Sequence, residues 1–190
     1  MTADSNRVYA RIAGTYAARR QTDPRIAEVI WAALGNAETV LDVGSGTGSY
    51  EPPGRDVTAV EPSAAMRAAR PPGAARCITA SAEALPFANG EFDAAMAVLS
   101  DHHWADPLAG WRELRRVARR VVVFQWDNHL DPHPFWLIRD YLPEFRTQLV
   151  EGRPTLAERA ATIGGHIEPV EIPHDCTDAF FPAFWRRPEA

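Results

Sequence analysis

Val40-Leu41-Asp42-Val43-Gly44-Ser45-Gly46-Thr47-Gly48 carries the first structural signal in the chain. Four residues suited to a buried parallel strand run directly into alternating glycines. A strand ending in Gly-x-Gly-x-Gly makes a tight turn at the carboxyl edge of a sheet. Without β-carbons, the backbone there can approach a ligand closely. Similar apolar runs follow. Val57-Thr58-Ala59-Val60 reads as a second strand and Cys77-Ile78-Thr79-Ala80 as a weaker third. Residues 94–99 give a fourth and 121–124 a fifth.

Helical patterns flank and separate these runs. Upstream, Asp23 is placed to cap a helix, Pro24 suits its first turn and Gly35 its end. Ile26, Val29, Ile30, Ala33 and Leu34 then share one face. The clearest helix spans residues 106–119, with Asp106 as cap, Pro107 in the first turn, and Leu108, Trp111, Leu114 and Val117 inward. A shorter one is expected over 155–163, ended by Gly164-Gly165. Alternating strands and helices indicate the α/β class with right-handed crossovers. Residues 167–172 read as a sixth strand, at an edge because of Pro169. The stretch beyond, with Pro173, Pro182, Pro188 and the aromatics Phe180, Phe181, Phe184 and Trp185, offers no complete seventh. An unpaired edge beside apolar surface leads to the expectation of a homodimer.

At 190 residues the chain fits one domain with a real core. No apolar run is long enough to span a membrane, and the first residues lack a signal peptide's apolar stretch. A cytoplasmic protein is expected, with Cys77 and Cys176 reduced. The net charge of −5 argues against a nucleic-acid partner, whose phosphates favour basic proteins.

The residues after the glycines separate two ligand classes. An acid at the end of the second strand, Glu61, is placed to bind both hydroxyls of a ribose. Nicotinamide or flavin dinucleotides and S-adenosylmethionine are both held this way. Dinucleotides need Gly-x-Gly-x-x-Gly and a full helix whose N-terminus faces the pyrophosphate. Here the sixth position is Ser49. The segment Ser49-Tyr50-Glu51-Pro52-Pro53-Gly54-Arg55 is too short and proline-rich for more than about one helical turn. S-adenosylmethionine has no pyrophosphate and loses less without that helix.

In these features the sequence resembles the class I S-adenosylmethionine-dependent methyltransferases, especially the small-molecule group that includes the ubiquinone and menaquinone biosynthesis enzymes. The resemblance covers about residues 9–127. It rests on residues 40–48, on Val57 to Ser63 with Glu61-Pro62 at its centre, and on Ser81-Ala82-Glu83-Ala84-Leu85-Pro86-Phe87 followed by Phe92-Asp93. It implies a Rossmann-like three-layer sandwich, mostly parallel, of strand order 3-2-1-4-5. It also implies the cofactor's contacts. Asp42, Gly44, Ser45, Gly46 and Gly48 would surround the methionine portion, and Glu61 would take the ribose. Pro62 and Met66 would pack on adenine, Ala82 would offer its N–H to the adenine edge with Glu83 beside it, and Leu99 would line the site. Tyr16 and Arg20, from an arm at residues 1–20, would close over the cofactor carboxylate. Residues 128–190 would form the acceptor side.

Ser100-Asp101-His102-His103-Trp104 follows strand four at the ligand-binding edge. An Asp/Asn-Pro-Pro-aromatic motif, the mark of adenine-N6 methylation, is absent there. Methyl transfer needs alignment above all, and a base if the acceptor is a hydroxyl or acidic C–H. His102 and His103 are the candidates, set against a reading in which they only pack or hydrogen-bond. His129 and His174 are weaker ones. His129 with His133, and His174-Asp175-Cys176, lack zinc-type spacing, so no metal is expected. Arg112, Arg115, Arg116, Arg119 and Arg120 read as a solvated helix face. The functional expectation is methyl transfer to a small molecule. The alternatives are a non-catalytic S-adenosylmethionine-binding regulator or methyltransferase relic, and a nicotinamide dehydrogenase.

Overall fold

The computed structural model of the protein describes residues 20–133 and 135–178. Helix α1 (Pro24–Ala33) starts where the Asp23 side chain accepts the Arg25 N–H. It ends before Gly35, whose φ of +62° suits a residue without a β-carbon. Strand β1 (Thr39–Val43) leads into the glycine loop. Then come β2 (Asp56–Val60), α2 (Ala64–Ala68), β3 (Arg76–Ile78) and β4 (Phe92–Val98). A single 3₁₀ turn (Asp101–His103) leads to α3 (Pro107–Val117). Strand β5 (Ala118–Phe124) is followed by α4 (Trp136–Asp140), α5 (Pro143–Val150) and α6 (Leu156–Thr162), the last opened by a Thr155–Glu158 capping box.

The sheet order is β3-β2-β1-β4-β5 with every neighbouring pair parallel, the order that the family resemblance implies. Alternate residues of each strand enter separate cores. Val40, Ala94, Met96 and Val122 face α1 with its Ile26, Ala27, Ile30 and Leu34. Leu41, Val43, Ala95, Ala97 and Val121 face α3 with Trp111, Leu114 and Val117, and Ala160 of α6 joins them. At the far end of the strands from the glycine loop, Asp93 Oδ2 accepts the Glu38 and Thr39 N–H groups, each at 3.1 Å. That fixes β4 against the start of β1.

Boundaries depart from the sequence reading where tertiary contacts decide them. The third strand stops at Ile78, two residues early. Helix α3 passes straight into β5 at Ala118, because β5 must pair with β4 from Phe92 onward. No helix forms between Gly48 and β2. The sixth strand is a correction. Residues 167–172 form none, and among the described residues β5 pairs only with β4. Pro169 has no N–H to donate, and Glu168 and Glu171 are exposed. Only Ile172 packs, against the α1-side core. Residues 173–178 carry no strand, and residues 179–190, with the aromatic tail, lie outside the described residues. No helix among the described residues is long and apolar enough to cross a membrane.

Candidate active site

The glycine loop is pinned from two sides. Gly44 and Ser45 N–H groups both donate to the Val60 carbonyl, at 2.8 and 3.1 Å. On the other side Ser100 donates its hydroxyl to the Val43 carbonyl at 2.9 Å. A β-carbon on Gly44 would meet the Ser100 β-carbon at 2.6 Å, and its φ is +72°. Glycine is required here by both close approach and backbone conformation.

Glu61 is buried, and its two oxygens are organised by the same loop. Oε2 accepts the Gly46 N–H at 2.9 Å and Oε1 the Ser63 N–H at 2.7 Å. Burial raises its pKa, and those two N–H donors offset part of the rise. Asp42 is buried beside it, and its Oδ2 has no hydrogen-bond partner among the described residues. Burial, reinforced by the Glu51 charge, raises the Asp42 carboxyl well above the usual carboxylate range.

These groups lie along one cleft at the carboxyl edge of β1, β2 and β4. Arg20, Asp42, Gly44, Ser45, Gly46, Glu61, Pro62, Met66, Ala82, Glu83 and Leu99 all line it. Gly48 does not. A β-carbon there would face Glu51 Oε1 at 3.3 Å and Arg70 Nη1 at 3.4 Å, so its bare backbone makes room for the Arg70–Glu51 ion pair. Tyr16 lies outside the described residues. Glu83 lines the cleft, yet its Oε1 accepts the Ala105 and Asp106 N–H groups and so holds the approach to α3.

Of the two histidines, His103 lines the cleft and His102 stands behind it. Their rings are 3.8 Å apart. Gln125 Nε2 lies 3.0 Å from His102 Nδ1. The Gln125 oxygen accepts the Trp126 N–H, which leaves its NH₂ as the donor and His102 Nδ1 as the acceptor. Burial pushes His102 down to about 4. Burial, with His102 beside it, pushes His103 down to about 3. Both rings are neutral at pH 7.

Three features escape the sequence reading. The first is Asp101, fully buried under the histidine turn. Its Oδ2 accepts Trp111 Nε1 at 2.9 Å and Arg159 Nη1 at 2.7 Å, while Oδ1 accepts the Gln125 amide. The second is the setting of Arg20. It donates Nε and Nη2 to Asp178 at 2.7 and 3.2 Å, and Tyr50 donates its hydroxyl to the same carboxylate at 3.0 Å. Thr177 N donates to Asp23 at 2.9 Å, so residues 173–178 fasten onto the start of the described chain. The same clasp takes Asp175, which pairs with Arg25 at 2.6 Å. Cys77 and Cys176 form no disulfide, and the described residues hold no group of three or more metal-binding side chains.

The third feature is Trp104, a wall of the cleft packed on Gly110 of α3. A β-carbon on Gly110 would lie 2.3 Å from the indole. Gly110→Ala gains about 1 kcal/mol of helix propensity. Against this, overpacking costs about 1–3 kcal/mol, and the indole is itself part of the buried cluster on the α3 side of the sheet. Net destabilisation is expected in urea denaturation, with weaker ligand binding at the cleft. A stabilised variant would show that Trp104 moves freely.

The methyltransferase-domain family model matches residues 41–124. A solved structure assigned as a methyltransferase of an antibiotic biosynthesis pathway in Anabaena variabilis is 30% identical. It aligns over 90% of this chain and 74% of its own, with a TM-score of 0.77. An S-adenosylmethionine-dependent methyltransferase of Thermotoga maritima, proposed as a histamine N-methyltransferase, is 20% identical over 83% and 78% of the two chains, TM-score 0.63. The geranyl diphosphate C-methyltransferase of Streptomyces coelicolor, solved with Mg2+, geranyl diphosphate and S-adenosyl-L-homocysteine, is 20% identical over 74% and 58%, TM-score 0.55. These last two share the fold. No curated protein matches the chain in sequence. On the first structure's identity and coverage, with the glycine loop inside the matched domain, the chain belongs to the S-adenosylmethionine-dependent methyltransferases and takes S-adenosylmethionine as its cofactor.

Proposed function

We propose that the chain methylates a small-molecule acceptor, with the cofactor lying along the cleft between Arg20, Asp42, Glu61 and Leu99. The single observation that carries this reading is Asp42, a buried carboxylate with an oxygen that nothing among the described residues satisfies. A buried, unpaired carboxylate is stabilised best by a cation. When bound, S-adenosylmethionine supplies a methyl group already activated on a sulfonium cation, next to an ammonium group. The residues present fit that ligand.

In this reading Asp42 holds the cationic methionine portion and Glu61 accepts from the ribose hydroxyls. Pro62 and Met66 cover the adenine, Ala82 offers its N–H, and Glu83 keeps the loop against α3. Arg20, aligned by Asp178 and Tyr50, stands ready for the cofactor carboxylate. His103 is favoured over His102 as the group that meets the acceptor, because it alone of the two lines the cleft. Its low basicity suits it to accept a hydrogen bond and orient the acceptor. Strong base catalysis requires a pKa nearer neutrality.

The pH dependence of binding tests the reading. In the cofactor-free chain both Asp42 and Glu61 sit above ordinary carboxylates. A bound cation lowers these values, so binding releases protons from whichever carboxyls are protonated. Affinity for S-adenosylmethionine should therefore rise as pH increases through the raised values, by at most about tenfold per pH unit for each proton released. The two histidines titrate near 4 and 3 and leave the range above pH 5 to the carboxyls. S-adenosylhomocysteine, which lacks the sulfonium charge, should show a shallower slope. Equal slopes, or affinity that falls with pH, would contradict the placement of the cation beside Asp42.

A further inference from the structure

Beyond β5 the chain builds a second cavity, of about 350 Å³, between α4 and α5. Its walls include Arg139, Arg146, the Thr147 hydroxyl, His133, Asp131 and the apolar Ile138. His133 is only 6% exposed. Its Nδ1 accepts the Phe135 N–H at 3.1 Å, which puts the proton of the neutral ring on Nε2. That Nε2–H has no acceptor among the described residues. Arg146 donates Nη1 to Asp131 at 3.1 Å and Nη2 to the His129 carbonyl at 3.4 Å, but its buried Nε–H likewise has no acceptor among the described residues. Arg139 is held by two bonds to Asp140, at 2.7 and 2.8 Å, at the solvent side.

Two buried N–H donors without acceptors, on residues of one cavity wall, are uncommon in a folded chain. A lone water would leave most of the cavity empty, since a water takes about 30 Å³. Two guanidiniums, a hydroxyl and the two unpartnered N–H groups suit an oxyanion that accepts several hydrogen bonds at once, with Asp131 in the same wall holding Arg146 in place. The chain on either side of the cavity segment reaches the turn that carries His103. Gln125, at the exit of β5, contacts His102, and Arg153 donates to the His102 carbonyl at 2.8 Å. Arg153 lies three residues after Val150, the last residue of α5 that lines the cavity.

We propose that this cavity is an oxyanion subsite holding a carboxylate or phosphate group of the methyl acceptor, away from the atom that is methylated. The assignment of the anion to an acceptor rests on the function proposed above. The anion binds through Arg146 and Arg139, with Thr147 as a further donor, and an arriving ligand gives the buried His133 and Arg146 donors acceptors.

The test titrates the full chain, saturated with S-adenosylhomocysteine, with inorganic phosphate and separately with acetate. Chloride at matched ionic strength is the control, and amide shifts are the readout. Saturable binding of either anion is expected. Arg146→Gln should weaken it about tenfold or more, the loss of a charge-assisted contact. Arg139→Gln, at an exposed position, should weaken it severalfold without a risk to folding. Both variants should keep S-adenosylhomocysteine affinity within about twofold. Tighter phosphate binding points to a phosphorylated acceptor and tighter acetate binding to a carboxylic one. No saturation by either anion, or saturation that neither variant changes, overturns the subsite and leaves the cofactor reading intact. Failure of the wild type to bind S-adenosylhomocysteine would overturn that reading instead.

Discussion

Glu61→Ala is expected to bind S-adenosylhomocysteine about 10–100-fold more weakly than the wild type, the worth of roughly 1.5–3 kcal/mol of charge-assisted hydrogen bonding. Two effects act together. The variant lacks the carboxylate proposed to accept from the ribose hydroxyls. It also strands the Gly46 and Ser63 N–H groups, which now donate to Glu61 at 2.9 and 2.7 Å. Glu61→Gln separates them. It keeps one acceptor oxygen for the backbone and loses the charge, so its affinity should fall between the two. Calorimetric titration of all three proteins gives the comparison. A Glu61→Ala variant with wild-type affinity would remove Glu61 from the cofactor site.

The largest expected loss of stability comes from Asp101→Ala. Its carboxylate is fully buried between Arg159, Trp111 and Gln125, and Arg159 is itself only 7% exposed. Removing the acid leaves a buried guanidinium without a counter-charge and an indole N–H without an acceptor. Breaking a buried pair from one side costs about 3–5 kcal/mol. The urea midpoint should fall accordingly, with little change in slope. Removal of both charges, in Asp101→Ala with Arg159→Leu, should cost less than the sum of the single changes, because no orphan charge remains. Purely additive losses would mean that the two residues do not stabilise one another.

The parts of this protein that read correctly from sequence are those fixed locally. Asp23, Pro24 and Gly35 bound α1 because caps and turns act within a few residues. The meeting of the glycine loop with Glu61 was legible for the same reason: the turn after one strand and the acid at the end of the next occur at fixed spacing, and the Gly46 N–H joins them. Failures begin where partners are distant in sequence. Asp101 and Arg159 are 58 residues apart, and nothing in either segment announces the other. The arginines of α3 and its exit read as a solvated face, and Arg112, Arg115, Arg119 and Arg120 are exposed, but Arg116 and Arg120 have partners far away in sequence. In the structure Arg116 pairs with Glu113 and donates to the Leu85 and Phe87 carbonyls, fastening the loop after β3. Arg120 caps α1 through the Ala33 carbonyl. Residues 167–172 have strand-like composition but no strand beside them to pair with, a matter of tertiary placement that periodicity does not report. The separation of His103 from His102 also depends on tertiary position, since adjacent residues in a 3₁₀ turn point in different directions.

The central claim is that the glycine-loop cleft takes a sulfonium nucleoside and no dinucleotide. Parallel calorimetric titrations of the full chain with S-adenosylmethionine, S-adenosylhomocysteine and NAD test it most directly. Saturable one-to-one binding of the first two, with no binding of NAD, is the expected result. Tight binding of NAD, or no binding of either S-adenosyl compound, would contradict it.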